Sequence, residues 1–427
     1  MYQVEISRDL FTGGRKLLGS PINWINVGQT VFLLGITSLL TDISAEMVTT
    51  ILPLYLLVTL RFSPFQVGMM DGIYQGAAVL VTVISGLVAD RWRRPKQVAA
   101  SGYGLSALCK LAFLLVGTSW TTISGVILLD RIGKGIRTAP RDSMIATNSK
   151  PGQLATAFGV HRAMDTAGSM VGPLLTVGIL SIAPEAYDAI FVVSLCVALI
   201  GLAVIGLFVN NPMPKTVAKS DDSWTDLSSI DQTDAFWRSI KALVKQAEFR
   251  TLVVVGSALA VVTVSDSLIY IAFRQRTGIP NGLFPLLYVF TALTFMIFAI
   301  PAGRLADRIG HKPVFMLGYG LLAGVYVILL LPRMNHLLAV FALILLGSYY
   351  AATDGVLMAW ASRKLPTDLC TTGLALLTTG TGVARLLAST LYGSVWSWVG
   401  AEWALKVFLG GLVGVLLLAW RTVQAVE

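Results

Sequence analysis

The stretch Gly86-Leu87-Val88-Ala89-Asp90-Arg91-Trp92-Arg93-Arg94-Pro95-Lys96 closes one apolar run and opens the next. A second copy of its pattern, Gly303-Arg304-Leu305-Ala306-Asp307-Arg308-Ile309-Gly310-His311-Lys312-Pro313, stands 217 positions later. A polar hinge repeated between long apolar runs indicates a duplicated membrane-spanning unit. Composition agrees: 55% of the 427 residues are hydrophobic and 13% charged, with mean hydropathy +0.74, whereas soluble domains are about a quarter charged.

Outward from the two hinges, apolar runs of about 20 residues, the length a bilayer requires, can be laid out twelve times. They fall near 28–59, 66–89, 97–118, 121–145, 152–182, 187–209, 250–273, 283–303, 313–332, 337–361, 369–397 and 402–422. The expected fold is all-α and integral to the membrane: twelve transmembrane helices in two six-helix bundles, 28–209 and 250–422. The first span exceeds the bilayer and is expected to tilt or bend. Residues 210–249 read as a polar linker whose end, around Phe236, Trp237, Ile240, Leu243 and Val244, has the spacing of a helix lying on the membrane surface. Residues 1–27 and 423–427 read as tails, the first without the features of a cleaved signal peptide.

Basic residues set the orientation, since cytoplasmic loops retain Lys and Arg. With the N-terminus inside, the inner loops collect most of them, including Arg91, Arg93, Arg94, Lys96, Arg304, Arg308 and Lys312, and the outer loops only Arg61, Arg274, Arg276 and Arg333. Both termini are then cytoplasmic, and the net charge of +9 reflects topology and not nucleic-acid binding. Cys109, Cys196 and Cys370 have neither paired spacing nor neighbouring His ligands, so no metal or disulfide framework is expected.

The pattern Gly-x-x-x-Asp-Arg with a following basic cluster resembles the loop signature of the major facilitator superfamily between its second and third helices, repeated between the eighth and ninth. The resemblance covers nearly the whole chain apart from the N-terminal tail and linker. It implies a transporter in which Gly86, Asp90, Arg91 and Arg94, with Gly303, Asp307 and Arg308, form a conformational latch. In physical terms, the glycines permit close helix approach, and an aspartate at a helix end pairs with arginine or with a neighbouring helix N-terminus.

Span four places Asp130, Arg131, Lys134, Arg137 and Arg141 within an arc of roughly 120° at about 100° per residue. At about 2.5–3.5 kcal/mol per charge at the bilayer centre, this face must line a wet cavity or be paired internally. Arg131, Lys134 and Gly135 resemble the family's fourth-helix motif, whose arginine is associated with proton coupling in antiporters. Lys134 replaces the usual glutamine and Arg137 the usual small residue, which raises the prospect of an anionic substrate. In span five, Gly159, Gly168 and Gly172-Pro173 resemble the family's antiporter signature, although Thr176-Val177 stands where a glycine pair is usual. Close packing through the glycines and a backbone donor removed by Pro173 are the expected physical effects.

Asp42 and Glu46, four apart and so on one helix face, lie near the middle of span one. Together with Arg131 and Asp165 they are the proton-coupling candidates. Lys134, Arg137, Arg162, Asp266, Asp354 and Arg385 are the cavity candidates, with Tyr55, Tyr74, Gln75, Tyr270, Tyr349 and Tyr350 as shaping groups. The same charges also suit a structural salt-bridge network, because Lys110, Arg131, Lys134, Arg137 and Arg162 nearly balance Asp42, Glu46, Asp130 and Asp165.

Neither a phosphate-cradling loop nor a nucleophile elbow is present, so an enzyme is not expected and no cofactor is implied. The expected activity is proton-coupled export of a small organic compound by a monomer in a bacterial inner membrane, with protons and bilayer as its other partners. Uptake or exchange of an organic anion on the cationic fourth helix is the alternative, and a sensor without net transport comes from a different class.

Overall fold

The computed structural model describes residues 28–92, 94–149, 154–210, 246–365 and 370–424. The N-terminal tail and most of the linker, with its expected surface helix, lie outside the described residues. The first six helices are α1 (Gln29–Leu54), α2 (Pro64–Trp92), α3 (Pro95–Leu115), α4 (Trp120–Asn148), α5 (Leu154–Ile182) and α6 (Tyr187–Phe208). After the linker follow α7 (Ala247–Val261), α8 (Asp266–Thr277), α9 (Leu286–Ile309), α10 (His311–Leu330), α11 (His336–Lys364), α12 (Cys370–Val399) and α13 (Ala401–Gln424). Because α7 and α8 form one interrupted passage, these elements make twelve spans.

Among the described residues, ten helical stretches are long and apolar enough to cross a membrane. α4 is not among them, since its charges exceed what a lipid-facing helix carries, and it must be shielded by neighbours. α1 runs past Pro53 into a π turn, Tyr55–Thr59, the kind of irregularity that accompanies bends.

The seventh span departs from the continuous helix expected over 250–273. Val261-Val262-Thr263-Val264 is β-branched and weakly helical, and Ser265-Asp266 supplies the polar start typical of a helix N-terminus. α7 therefore stops at Val261 and α8 restarts at Asp266. The freed Val264 N–H donates to the Tyr326 hydroxyl of α10 at 2.7 Å, as an unpaired donor at membrane depth requires.

The duplication is visible in packing. α1 lies on α5, α2 on α4, α3 on α4 and α3 on α6; the second half repeats these pairs as α7 on α12, α9 on α11, α10 on α11 and α10 on α13. Between the halves, α2 meets α12 and α5 meets α9. The first of these seams is built from glycine: a methyl group added at Gly72 would stand 2.7 Å from the Leu386 carbonyl oxygen, and one at Gly393 2.5 Å from that of Pro64. At its end, the Phe65 N–H donates to Ser397 Oγ at 2.8 Å. The seam thus lies away from the two Gly-x-x-x-Asp-Arg loops, toward the face where α1 turns into α2.

Candidate functional site

α4 is pressed into the N-terminal half by its glycines. A methyl group at Gly135 would come 2.7 Å from the Ala78 carbonyl oxygen of α2, and one at Gly133 2.7 Å from Ser106 Oγ of α3. The charged face therefore looks onto helices rather than lipid, and most of its cations have carboxylate partners. Asp130 accepts from Lys110 Nζ of α3 and from the Arg131 guanidinium, with Arg131 stacked 3.8 Å over the Tyr74 ring. Arg137 reaches Asp42 of α1 at 3.5 Å and lies over the Tyr103 ring at 4.8 Å. Arg141 donates to Asp142 at 3.0 Å and to Ser38 Oγ at 3.2 Å.

α5 enters through its own glycines, Gly168 and Gly172, whose added methyl groups would sit 2.5 and 2.7 Å from the Leu39 and Ile43 carbonyl oxygens of α1. This close approach brings Asp165 to the Ser38 hydroxyl, which donates to it, and sets its carboxyl against that of Asp42. Gly159 does not share the contact, since a methyl group there meets nothing within 4 Å. Pro173 lies inside α5.

Glu46 and Lys134 differ from the rest. Each is half-buried, each feels the other's charge, and among the described residues neither side chain has an ion pair or hydrogen bond. Arg162 of α5 is exposed. Its neighbour His161 is buried with Nε2 unpartnered.

In the C-terminal half, a cavity of about 90 Å³ opens at the break between α7 and α8, lined by Gln75, Ser265, Asp266, Tyr349, Tyr350 and Arg385 among others. That volume exceeds what one water needs, about 10–15 Å³ on the same measure. The Tyr350 hydroxyl donates to Asp266, and Arg385 lies 3.6 Å from Asp354, both partly open. Of the proposed shaping groups, Gln75, Tyr349 and Tyr350 reach this cavity, whereas Tyr55 packs on Tyr187 at 5.2 Å and Tyr270 on Tyr288 at 4.4 Å.

Asp71 of α2 was not singled out from the sequence. It is 8% exposed and accepts from Ser389 Oγ of α12 at 2.7 Å, so it stands inside the seam between the halves. The available signal was an acidic residue flanked by Gly68, Gly72 and Gly76.

At the second loop, Asp307 binds Arg363 of α11 at 3.0 Å, within the same half. Gly303 makes no close approach, as a methyl group there meets nothing within 4 Å; the packing role expected of it is not fulfilled. Arg308 is exposed, as is Arg94 at the start of α3. Side chains at Gly86, Asp90 and Arg91 lie outside the described residues. Among the described residues, no group of three His, Cys, Asp or Glu side chains is arranged to hold a metal ion.

Comparison with known proteins addresses this arrangement as a whole. The chain is 29% identical over 372 residues to an uncharacterized MFS-type transporter of Methanocaldococcus jannaschii, covering 87% of this chain and 89% of that one. It is 28% identical over 170 residues, 40% of its length and 41% of the relative's, to an uncharacterized protein of Mycobacterium tuberculosis. Its fold matches that of the nucleoside transporter NupG with a TM-score of 0.72 at 17% identity, covering 92% of this chain and 98% of that one. A POT family transporter in complex with 5-aminolevulinic acid gives a TM-score of 0.75 at 11% identity, over 92% and 96% of the two chains. The sequence profile of the Major Facilitator Superfamily matches residues 34–389 and 269–426. Helix pairing repeated across two halves and a profile spanning the chain have one reading: this protein is a membrane transporter belonging to the major facilitator superfamily.

Proposed function

We propose that the protein is a proton-coupled antiporter that exports a small organic compound by alternating access, its halves 28–209 and 250–422 rocking about a midplane site. The observation that carries this reading is the matching of α4's cations by carboxylates: Asp130 takes Lys110 and Arg131, Asp42 takes Arg137, and Asp142 takes Arg141. A face so neutralised is suited to passing protons between carboxyls and poorly suited to holding an organic anion. Asp42 and Asp165 face each other, and two carboxyls at such proximity do not both ionise. Glu46, one turn along α1 and without an ion pair among the described residues, is the proton carrier in this reading. Gly168 and Gly172, packed on α1, keep Asp165 in register with Asp42, a physical role for the antiporter-like pattern.

Substrate binds where Asp266, Arg385 and the tyrosines line the C-terminal cavity. The excess of Lys and Arg in the loops assigned to the inner side supports cytoplasmic termini and a monomer in a bacterial inner membrane. A second reading, exchange or uptake of an organic anion, draws on Lys134, the α4 cation with no ion pair among the described residues.

The test is reconstitution in liposomes holding a trapped pH dye, with an imposed pH gradient and a panel of lipophilic cations and small organic anions. Substrate-driven proton movement opposite to substrate, lost in Glu46→Gln, is the expected result. Proton movement in the same direction and only with anions selects the second reading, and unchanged coupling in Glu46→Gln removes Glu46 from the path.

A further inference from the structure

We propose that Asp71 is a second proton-binding site: its carboxyl holds a proton while the α2–α12 seam is closed and releases it to water when the seam parts. The inference rests on the alternating-access reading and adds to it a site on α2, away from the charges of α1, α4 and α5.

The geometry is that of a neutral acid. Asp71 is 8% exposed, and among the described residues it has no Lys, Arg or His within ion-pair distance. Its hydrogen-bond donor is the uncharged Ser389 hydroxyl. Ser265 and Ser267, from the break and from the start of α8, stand beside it. On α1 the neighbouring groups are Thr49, Leu52 and Pro53, and on its own helix Tyr74, none of them cationic. The titratable groups that face it from elsewhere are Asp266 of α8 and Tyr288 of α9. Asp266 is a second acid, and two neighbouring carboxyls oppose each other's ionisation. Arg385, four residues before Ser389 on α12, lies 3.6 Å from Asp354 and is neutralised there.

An ionised carboxylate buried without a cation is strongly disfavoured at membrane depth. Ser389 meets Asp71 across the seam itself, so parting the helices removes the donor and admits water in one motion. The carboxylic acid then gives its proton to water and is left as a hydrated carboxylate. Closing the seam requires the reverse. Seam opening and proton release are therefore linked, and by the reciprocity of linkage, higher pH favours the open seam.

The test places spin labels at Ser63→Cys and Trp398→Cys, at the ends of α2 and α12, in a chain whose three native cysteines are replaced, and measures their separation in lipid nanodiscs from pH 5 to pH 9 without substrate. The expected result is a several-fold larger open population at high pH in the otherwise native chain, and a pH-independent closed seam in Asp71→Asn. A pH response identical in Asp71→Asn overturns the proposal while leaving alternating access intact. A seam that opens under no condition, with or without the transport panel, overturns alternating access at this seam as well. Should Asp71→Asn fail to fold, infrared titration with Ser389→Ala decides. The band of the protonated carboxyl shifts when its hydroxyl donor is removed if Asp71 holds the proton, and an unshifted band assigns the proton elsewhere.

Discussion

Asp130 and Glu46 are both carboxylates in the N-terminal half, yet their surroundings assign them opposite duties. Asp130 is 6% exposed and binds two cations, so Asp130→Asn leaves Lys110 and Arg131 buried without a counter-ion. Breaking such a group costs about 3–5 kcal/mol, and a lowered thermal unfolding midpoint in detergent is the expected outcome; an unchanged midpoint means water reaches both cations. Glu46→Gln, by contrast, breaks no ion pair among the described residues and is expected to lower the unfolding midpoint far less than Asp130→Asn while losing proton coupling. At this scale the sequence was legible where spacing decides: the charged arc of α4 followed from helical periodicity alone. Which carboxylate meets which cation did not follow, because α1, α4 and α5 are brought together by tertiary packing. Asp71 went unnoticed because it is a lone acid in an apolar run, and its importance comes from Ser389, 318 positions away.

The glycines sort themselves only at the scale of the element. Gly168 and Gly172 touch the backbone of α1, whereas Gly159 and Gly303 face open space. Gly172→Val is expected to cost about 1–3 kcal/mol through overpacking and to impair transport, while Gly159→Ala and Gly303→Ala retain native stability and flux; equal losses at all three would show that contact with α1 is not what matters. The break in the seventh span is likewise invisible to hydropathy, since the stretch 247–277 still holds a window apolar enough to cross a membrane. Its chemistry was nonetheless written in the β-branched run ending in Ser265-Asp266. Tyr326→Phe, which leaves the Val264 N–H unpaired, is expected to destabilise by about 1–3 kcal/mol in the same unfolding assay, and no effect there would mean the break is held by other contacts.

For the whole molecule, the twelve-span architecture was readable because the bilayer imposes one length on every helix and the repeated loop imposes two halves. The order of helices around the cavity was not readable, since packing in lipid depends on small-residue contacts that periodicity does not rank. If transport requires the halves to part at α2 and α12, a bifunctional maleimide joining Phe65→Cys to Ser397→Cys stops flux, and a reducible version of the linker restores it on reduction. Continued flux in the linked protein would mean that this seam stays shut throughout the cycle. The same seam bears on how easily the transporter moves. Gly68, Gly72 and Gly393 bring main chain against main chain, and glycine has no rotamers to freeze, whereas a Met or Gln at such a position gives up about 1.5–2 kcal/mol of side-chain entropy each time it is buried. Closing this interface therefore orders little, and opening it recovers little. The two arrangements can stay close in free energy, so a modest bias from a bound proton or substrate is enough to choose between them.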